Sequence, residues 1–170
     1  MGERKRCTIT TIAYRLGILA FDSKAVENDT THKGLCDKGR QTKALIMAGC
    51  GNASDIECVM NWLEAGGGED KKKDFNLYAR EVKCEVIAID KKGIVTFYEE
   101  SCCGFTLEAP FFAIGSGYDL AMGAMAAGAS AKEAIQIACK YNINTGGPVR
   151  TLNIQDLQLT VKKKSAKRKK

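Results

Sequence analysis

Three residues of this chain could together make a hydroxyl nucleophilic without a histidine: Thr10, Asp22 and Lys38, spaced by twelve and then sixteen positions. A threonine Oγ1 attacks poorly until a base removes its proton, and the α-amine of an N-terminal threonine can be that base. Such an amine has an ordinary pKa of about 7.7–8.0, close to working pH. A nearby lysine ammonium disfavours the protonated amine, and a carboxylate holds that lysine in place. The chemistry would be amide hydrolysis through an acyl-enzyme. The single histidine, His32, lies in a polar stretch, so a scheme that avoids imidazole suits the composition.

The elements that must position these groups begin with a hairpin. Residues 10–14 (TTIAY) form its first arm, residues 15–17 (RLG) its turn, and residues 18–21 (ILAF) a second arm ending on Asp22. Short β-branched runs about a glycine-containing turn are a hairpin signal. The pairing predicts Thr10 beside Asp22. A polar stretch, residues 23–40, reads as a loop leading into a short strand near 35–38. Residues 43–48 (KALIMA) read as a buried strand, followed by a tight turn at 49–52 (GCGN). A helix is expected over 54–64, with Ile56, Val59, Met60 and Leu63 on one face, capped by Ser54 or Asn52 and stopped by Gly66-Gly67-Gly68. Residues 69–74 read as a charged loop and 75–80 as a helical turn. Strands follow at 84–90 and 94–99, joined by Lys91-Lys92-Gly93, and a third at 111–114. Helices are expected over 118–127 and from a capping box at Ser130-Ala131-Lys132-Glu133 to Tyr141, with a last strand over 149–154. Paired strands with helices in two separate groups indicate an α+β fold with antiparallel sheets.

A length of 170 residues suits one domain, here residues 10–156, with residues 1–9 as a leader and 157–170 as a last segment and basic tail. The stretch 162–170 carries seven positive charges and no negative one, which leaves the rest near neutral despite a net +6. It reads as a disordered solubilising end. Nucleic-acid docking is the weaker reading, because no aromatic residue interrupts the run. No apolar run reaches membrane-spanning length, and the N-terminus lacks the apolar core of a secretory signal. Of eight cysteines, Cys50, Cys58, Cys84 and Cys139 lie in apolar segments and read as small buried hydrophobes. The vicinal Cys102-Cys103 has no second cluster at metal-ligand spacing, so neither a zinc site nor any other cofactor is expected, and the compartment reads as a reducing cytoplasm.

Five pieces, in order, carry a family resemblance: TTIAYR…GILAFDSKA, then Lys38, AGCGNASD before a helix, FFAIGSGYD before a second helix, and AIQIACKYNINTGGPV. Together they resemble the proteasome β-subunit superfamily of N-terminal nucleophile hydrolases, most of all the HslV-type peptidases and their short phage-encoded relatives. The resemblance runs from about Thr10 to Ile154. It implies a four-layer αββα sandwich, a threonine-type peptidase acting on peptide or protein substrates, self-association into rings, and an unfoldase partner. Thr10 resembles the nucleophile, Asp22 the first-hairpin carboxylate and Lys38 the lysine that tunes the amine. Gly51 resembles the glycine whose backbone N–H stabilises the oxyanion, and Ser116 the serine beside the amine. Asn142-Ile143-Asn144-Thr145-Gly146-Gly147 resembles Asp-x-x-Ser-Gly-Gly, with Thr145 for the serine and Asn142 for the carboxylate.

Two alternatives stay open at this point. Counting back along a longer hairpin lands near Cys7, and Thr11 adjoins Thr10, so either is a rival nucleophile. A catalytically silent subunit is the alternative function, favoured by the uncharged Asn142 and by Ile9 at the cleavage point.

Overall fold

The computed structural model describes residues 6–8, 10–27, 30–32, 38–67, 82–99 and 104–157; of these, the side chains at 6–8, 25–27 and 30–32 are not described. The elements are β1 (Arg6–Thr8), β2 (Thr11–Arg15), β3 (Ile18–Phe21), β4 (Ala25–Glu27), β5 (Thr30–His32), β6 (Gly39–Gln41), β7 (Leu45–Asn52), α1 (Ala53–Glu64), β8 (Cys84–Asp90), β9 (Val95–Tyr98), β10 (Gly104–Thr106), β11 (Phe111–Gly115), α2 (Tyr118–Ala126), α3 (Ala131–Tyr141) and β12 (Arg150–Asn153). The expected loop at 69–74, helical turn at 75–80 and basic tail lie outside the described residues, as does most of the expected strand at 35–38.

Two antiparallel sheets form. One runs β10-β9-β8-β7-β1-β4-β5, with β6 also paired to β7; the other runs β11-β2-β3-β12. Side chains alternate across a strand, and three apolar clusters follow from that alternation. Ile12, Leu19, Phe21, Ile46, Ala48, Cys50, Ile87 and Ile89 fill the space between the sheets. Met47, Val86 and Ala88 face outward from the first sheet onto Ile56, Val59, Met60 and Leu63 of α1. Ala13, Ala20 and Ala113 face outward from the second sheet onto α2 and α3. The order of layers is therefore helix, sheet, sheet, helix, the expected α+β sandwich. Small alanines on the outer face of the second sheet let α3 lie close against it.

Local chemistry explains the boundaries. Asn52 caps α1 through its side chain, which accepts the amides of Ser54 and Asp55. Ser130 and Glu133 form the reciprocal capping box that starts α3. The first hairpin turns on two residues, Leu16 (φ 49°) and Gly17 (φ 79°), the double positive-φ geometry of a type I′ turn.

Several expectations need correction. The glycines at 49–52 do not make a tight turn; they continue β7, paired with Val86, Glu85 and Cys84 of β8. A glycine-rich run can stay extended when a partner strand supplies its hydrogen bonds, and Gly49 packs under Ile56 where no side chain would fit. The polar stretch 23–40 is not all loop, since β4 and β5 pair within it. Cys58 is exposed, not a buried hydrophobe, and Cys139 is half-buried. Leu157, assigned to the tail segment, is fully buried in the central cluster.

Candidate active site

The site forms where the chain passes from one sheet to the other. β1 belongs to the first sheet and β2 to the second, so Thr10 is the crossing residue. Its carbonyl accepts the Ser116 amide at 3.0 Å, which extends the β2–β11 ladder back by one position. Gly115 makes this approach possible. Its φ is +87°, and a Cβ there would stand 1.8 Å from the Thr10 oxygen. By strand alternation Thr10 shares the face of Ile12, between the sheets, and Thr11 shares the face of Ala13, toward the helices. Both are buried.

Asp22 is the centre of the arrangement. It is fully buried, and its carboxylate accepts the backbone amides of Thr11 (2.9 Å), Lys24 (3.1 Å) and Gly146 (3.0 Å). Lys38 Nζ lies 3.4 Å from each of its oxygens, and neither side chain of this ion pair is exposed. Lys38 Nζ also donates to the Lys24 carbonyl. A buried pair persists when further hydrogen bonds satisfy what the two charges leave over; three amides on the carboxylate and a carbonyl on the ammonium do that here.

Lys38 reaches Asp22 across the sandwich. It extends the β6–β7 pairing, with its carbonyl accepting the Gly49 amide at 2.9 Å. The next residue, Gly39, sits under the Phe21 ring, where a Cβ would fall 2.3 Å from the ring carbon. Phe21 precedes Asp22 as Gly39 follows Lys38. Stacking the ring on the glycine brings the two charged neighbours to one place.

A chain of hydroxyls runs along the helix side. Thr11 Oγ1 accepts the Gly117 amide at 2.8 Å and lies 2.6 Å from Thr145 Oγ1. Thr145 Oγ1 is 3.3 Å from Ser116 Oγ and donates to Asn142 Oδ1 at 3.4 Å. Asn142 Nδ2 donates to the Ser116 carbonyl at 2.9 Å, and its Oδ1 accepts the Asn144 amide at 2.8 Å. The loop after α3 is held from the other side as well: Ser23 Oγ donates to the Pro148 carbonyl and Lys24 Nζ to that of Ile143.

The structure thus brings together Asp22, Lys38 and the Thr10–Thr11 pair, and beside them Ser116, Asn142 and Thr145. Gly51 stands opposite Thr8 in the β1–β7 register, two residues ahead of Thr10. The hairpin register differs from the expected one. Because the turn has two residues, Ile12 pairs with Phe21, and the residue bonded to Asp22 is Thr11. Cys7 lies inside β1, opposite Val26 and Asn52. The sequence pointed to Thr11 only as a rival nucleophile, and not at all to the Lys24 carbonyl or the Gly146 and Gly117 amides. Backbone groups carry no residue-type signal.

Two thiols border the site, and both favour the neutral form. Burial pushes the Cys50 thiol well up, and its hydrogen bond to Glu85 Oε2 at 3.2 Å adds to this. Burial, then the Asp22 charge, pushes Cys139 up to about 11. Neither is an activated nucleophile. Among the described residues no cluster of three or more His, Cys, Asp or Glu could hold a metal ion, and no helix is long and apolar enough to cross a membrane.

No protein-family model matches the sequence, and no curated protein matches it. Solved structures do match. Eukaryotic HslV from Trypanosoma brucei is similar at 19% identity over 84% of this chain and 99% of its own, with a TM-score of 0.63. BPH of Thiobacillus denitrificans in complex with epoxomicin is similar at 18% identity over 84% of this chain and 96% of its own, with a TM-score of 0.60. The αββα sandwich of this chain is accordingly the proteasome-like fold of HslV and BPH.

Proposed function

We propose that this protein is a threonine-type peptidase whose nucleophile is Thr10, freed by removal of the residues before it. The observation that carries the reading is the buried Asp22–Lys38 pair, held where the chain crosses between sheets at Thr10. Once the 9–10 peptide bond is cut, the new α-amine takes the Oγ1 proton and Oγ1 attacks the scissile carbonyl carbon. The peptide C–N bond breaks, the leaving amine takes the proton, and an ester to Thr10 remains. Water then hydrolyses the ester. Lys38 keeps the amine in its basic form. The Gly51 amide is assigned to the oxyanion, and Ser116 and Thr145 to the amine. Thr11 is a positioning residue in this reading, since its amide donates to Asp22 and its hydroxyl accepts the Gly117 amide.

Self-association is part of the proposal, with an unfoldase as a further partner. Tyr118, Tyr141 and Ile143 are exposed beside the Ser116–Asn142 contact at the ends of α2 and α3, where a second copy could cover them.

The test is intact mass with N-terminal sequencing of purified, assembled protein. A chain beginning at Thr10, with Thr10→Ala remaining full-length and inactive toward peptides, supports the peptidase. A wild-type chain that keeps its leader and cleaves no peptide overturns it. Epoxomicin is a convenient probe, read as a thermal shift of the processed chain.

The catalytically silent subunit stands as the second reading. Asn142 favours it, because the hydroxyl chain ends on a neutral amide where the resemblance has a carboxylate.

A further inference from the structure

Gly51, whose amide is assigned to the oxyanion, sits against main chain that the reaction steps do not use. Its φ is +110°, and a Cβ there would stand 2.5 Å from the Lys83 oxygen and 2.8 Å from the Cys84 Cα. Both neighbours are backbone atoms and cannot turn aside, so the position admits glycine alone. The same Lys83 carbonyl accepts the Asn52 amide at 2.7 Å. The peptide that joins Gly51 to Asn52 is therefore held by Lys83, and whatever fixes Lys83 fixes the surroundings of the oxyanion donor.

Asp55 is what fixes it. Its Oδ2 accepts the Lys83 amide at 3.0 Å, and its own amide donates to Asn52 Oδ1 at 3.3 Å. The contacts close a circuit from Asn52 to the Lys83 carbonyl, from the Lys83 amide to Asp55, and from Asp55 back to Asn52. An acidic residue in the first turn of a helix serves the macrodipole equally well from the surface. Asp55 is instead 6% exposed and bonds to a residue 28 positions away on another element. Val82, beside Lys83, is buried in the α1 cluster and anchors the same segment. An oxyanion donor acts only on charge that develops in the transition state, and only if it is preset at hydrogen-bond distance. Resting on the peptidase reading above, we propose that Asp55 is a positioning residue for the reaction: through the Lys83 amide it sets the Gly51 peptide toward the oxyanion.

Two measurements on the full chain test this. The first is kcat and KM toward a fluorogenic peptide for wild type, Asp55→Ala, Asp55→Asn and Val59→Ala. Asp55→Ala should lower kcat and kcat/KM together by about 10²-fold, the cost of misplacing a group by about 1 Å, with KM unchanged. Asp55→Asn keeps an oxygen for the Lys83 amide and should recover most of the rate. Val59→Ala weakens the packing of α1 and should leave kcat unchanged, which separates positioning from general loss of stability. An unchanged kcat in Asp55→Ala, no recovery in Asp55→Asn, or an equal fall in Val59→Ala overturns the role. If Asp55→Ala does not fold, Lys83→Pro removes the donor and keeps the carbonyl; the same fall in kcat supports the role, and an unchanged kcat overturns it. The second measurement needs no activity. Amide hydrogen exchange at Asn52 and Lys83 should speed by about five-fold in Asp55→Ala, the size of one net hydrogen bond, and stay slow in Asp55→Asn. Unchanged exchange in Asp55→Ala overturns the circuit. A wild type that cleaves no peptide removes the peptidase reading, while the exchange experiment still decides whether Asp55 holds the Gly51 peptide.

Discussion

Lys38 Nζ stands 3.4 Å from both carboxylate oxygens of Asp22, and neither side chain reaches solvent. The pair ties the edge of one sheet to the end of a strand in the other, because Lys38 extends the β6–β7 ladder and Asp22 follows β3. It serves the fold as much as any chemistry, and the two roles separate experimentally.

Removing one partner leaves the other charge buried and alone. Asp22→Asn should destabilise by about 3–5 kcal/mol, with an added penalty because the amide group brings hydrogens toward three backbone N–H donors. Combining it with Lys38→Met should cost less than the two single losses together. The coupling, about 1–3 kcal/mol in urea unfolding, measures the pair. Strict additivity would refute the coupling.

Thr11 and Thr10 should respond differently. Thr11→Val keeps the shape but leaves the buried Gly117 amide without its acceptor, a loss of about 1–3 kcal/mol. Thr10→Val leaves the Thr10 carbonyl bond to Ser116 in place and should change stability by under about 1.5 kcal/mol while abolishing processing. Equilibrium unfolding and intact mass on the two variants separate the roles.

Leu16 occupies a left-handed position at φ 49° and is 81% exposed. A branched apolar residue gains nothing there and carries a backbone cost of about 1 kcal/mol. Leu16→Asn supplies the Asn-Gly pair that type I′ turns favour and should raise stability by about 0.5–1 kcal/mol. A lower melting temperature would count against the turn assignment.

The thiols predict a pH dependence. Cys139 is raised in the folded protein from an ordinary 9.0 to about 11, so the folded state holds its proton more tightly than the unfolded state. That contribution is complete below pH 9 and is lost as pH rises through about 11. Cys139→Ser should flatten the fall in stability over this window. Alkylation mapped by mass spectrometry at pH 8 should label exposed Cys58 quickly and Cys50 only on unfolding.

Legibility in the sequence was greatest where local chemistry decides. The helices α1 and α3 were readable because Asn52 and Ser130 cap them and their apolar residues recur at helical spacing. The strand at Cys84–Asp90 was readable from its apolar run Val86-Ile87-Ala88-Ile89, three of whose four residues are β-branched. The strands β1, β4 and β5 were not, because three-residue polar strands exist only through their partners. The hairpin shows the limit most clearly. Its existence followed from composition, yet the shift from Thr10 to Thr11 opposite Asp22 came from one residue fewer in the turn, and such a step exchanges the two faces of a strand.

The sequence by itself determined the kinds of groups available and the order in which they occur: a threonine pair, a carboxylate twelve residues on, a lysine sixteen beyond, and glycine and hydroxyl residues ahead of helices. Those followed from short-range propensity and spacing. Only the tertiary structure decided which threonine pairs opposite Asp22, that Asp22 accepts backbone amides from Thr11, from the adjacent Lys24 and from the distant Gly146, and that residues 6–8 form an inner strand. The physical reason is that register and burial are set by contacts between segments far apart in sequence. A backbone N–H from Gly146 or a carbonyl from Lys24 looks the same at every position until the fold brings it to the site.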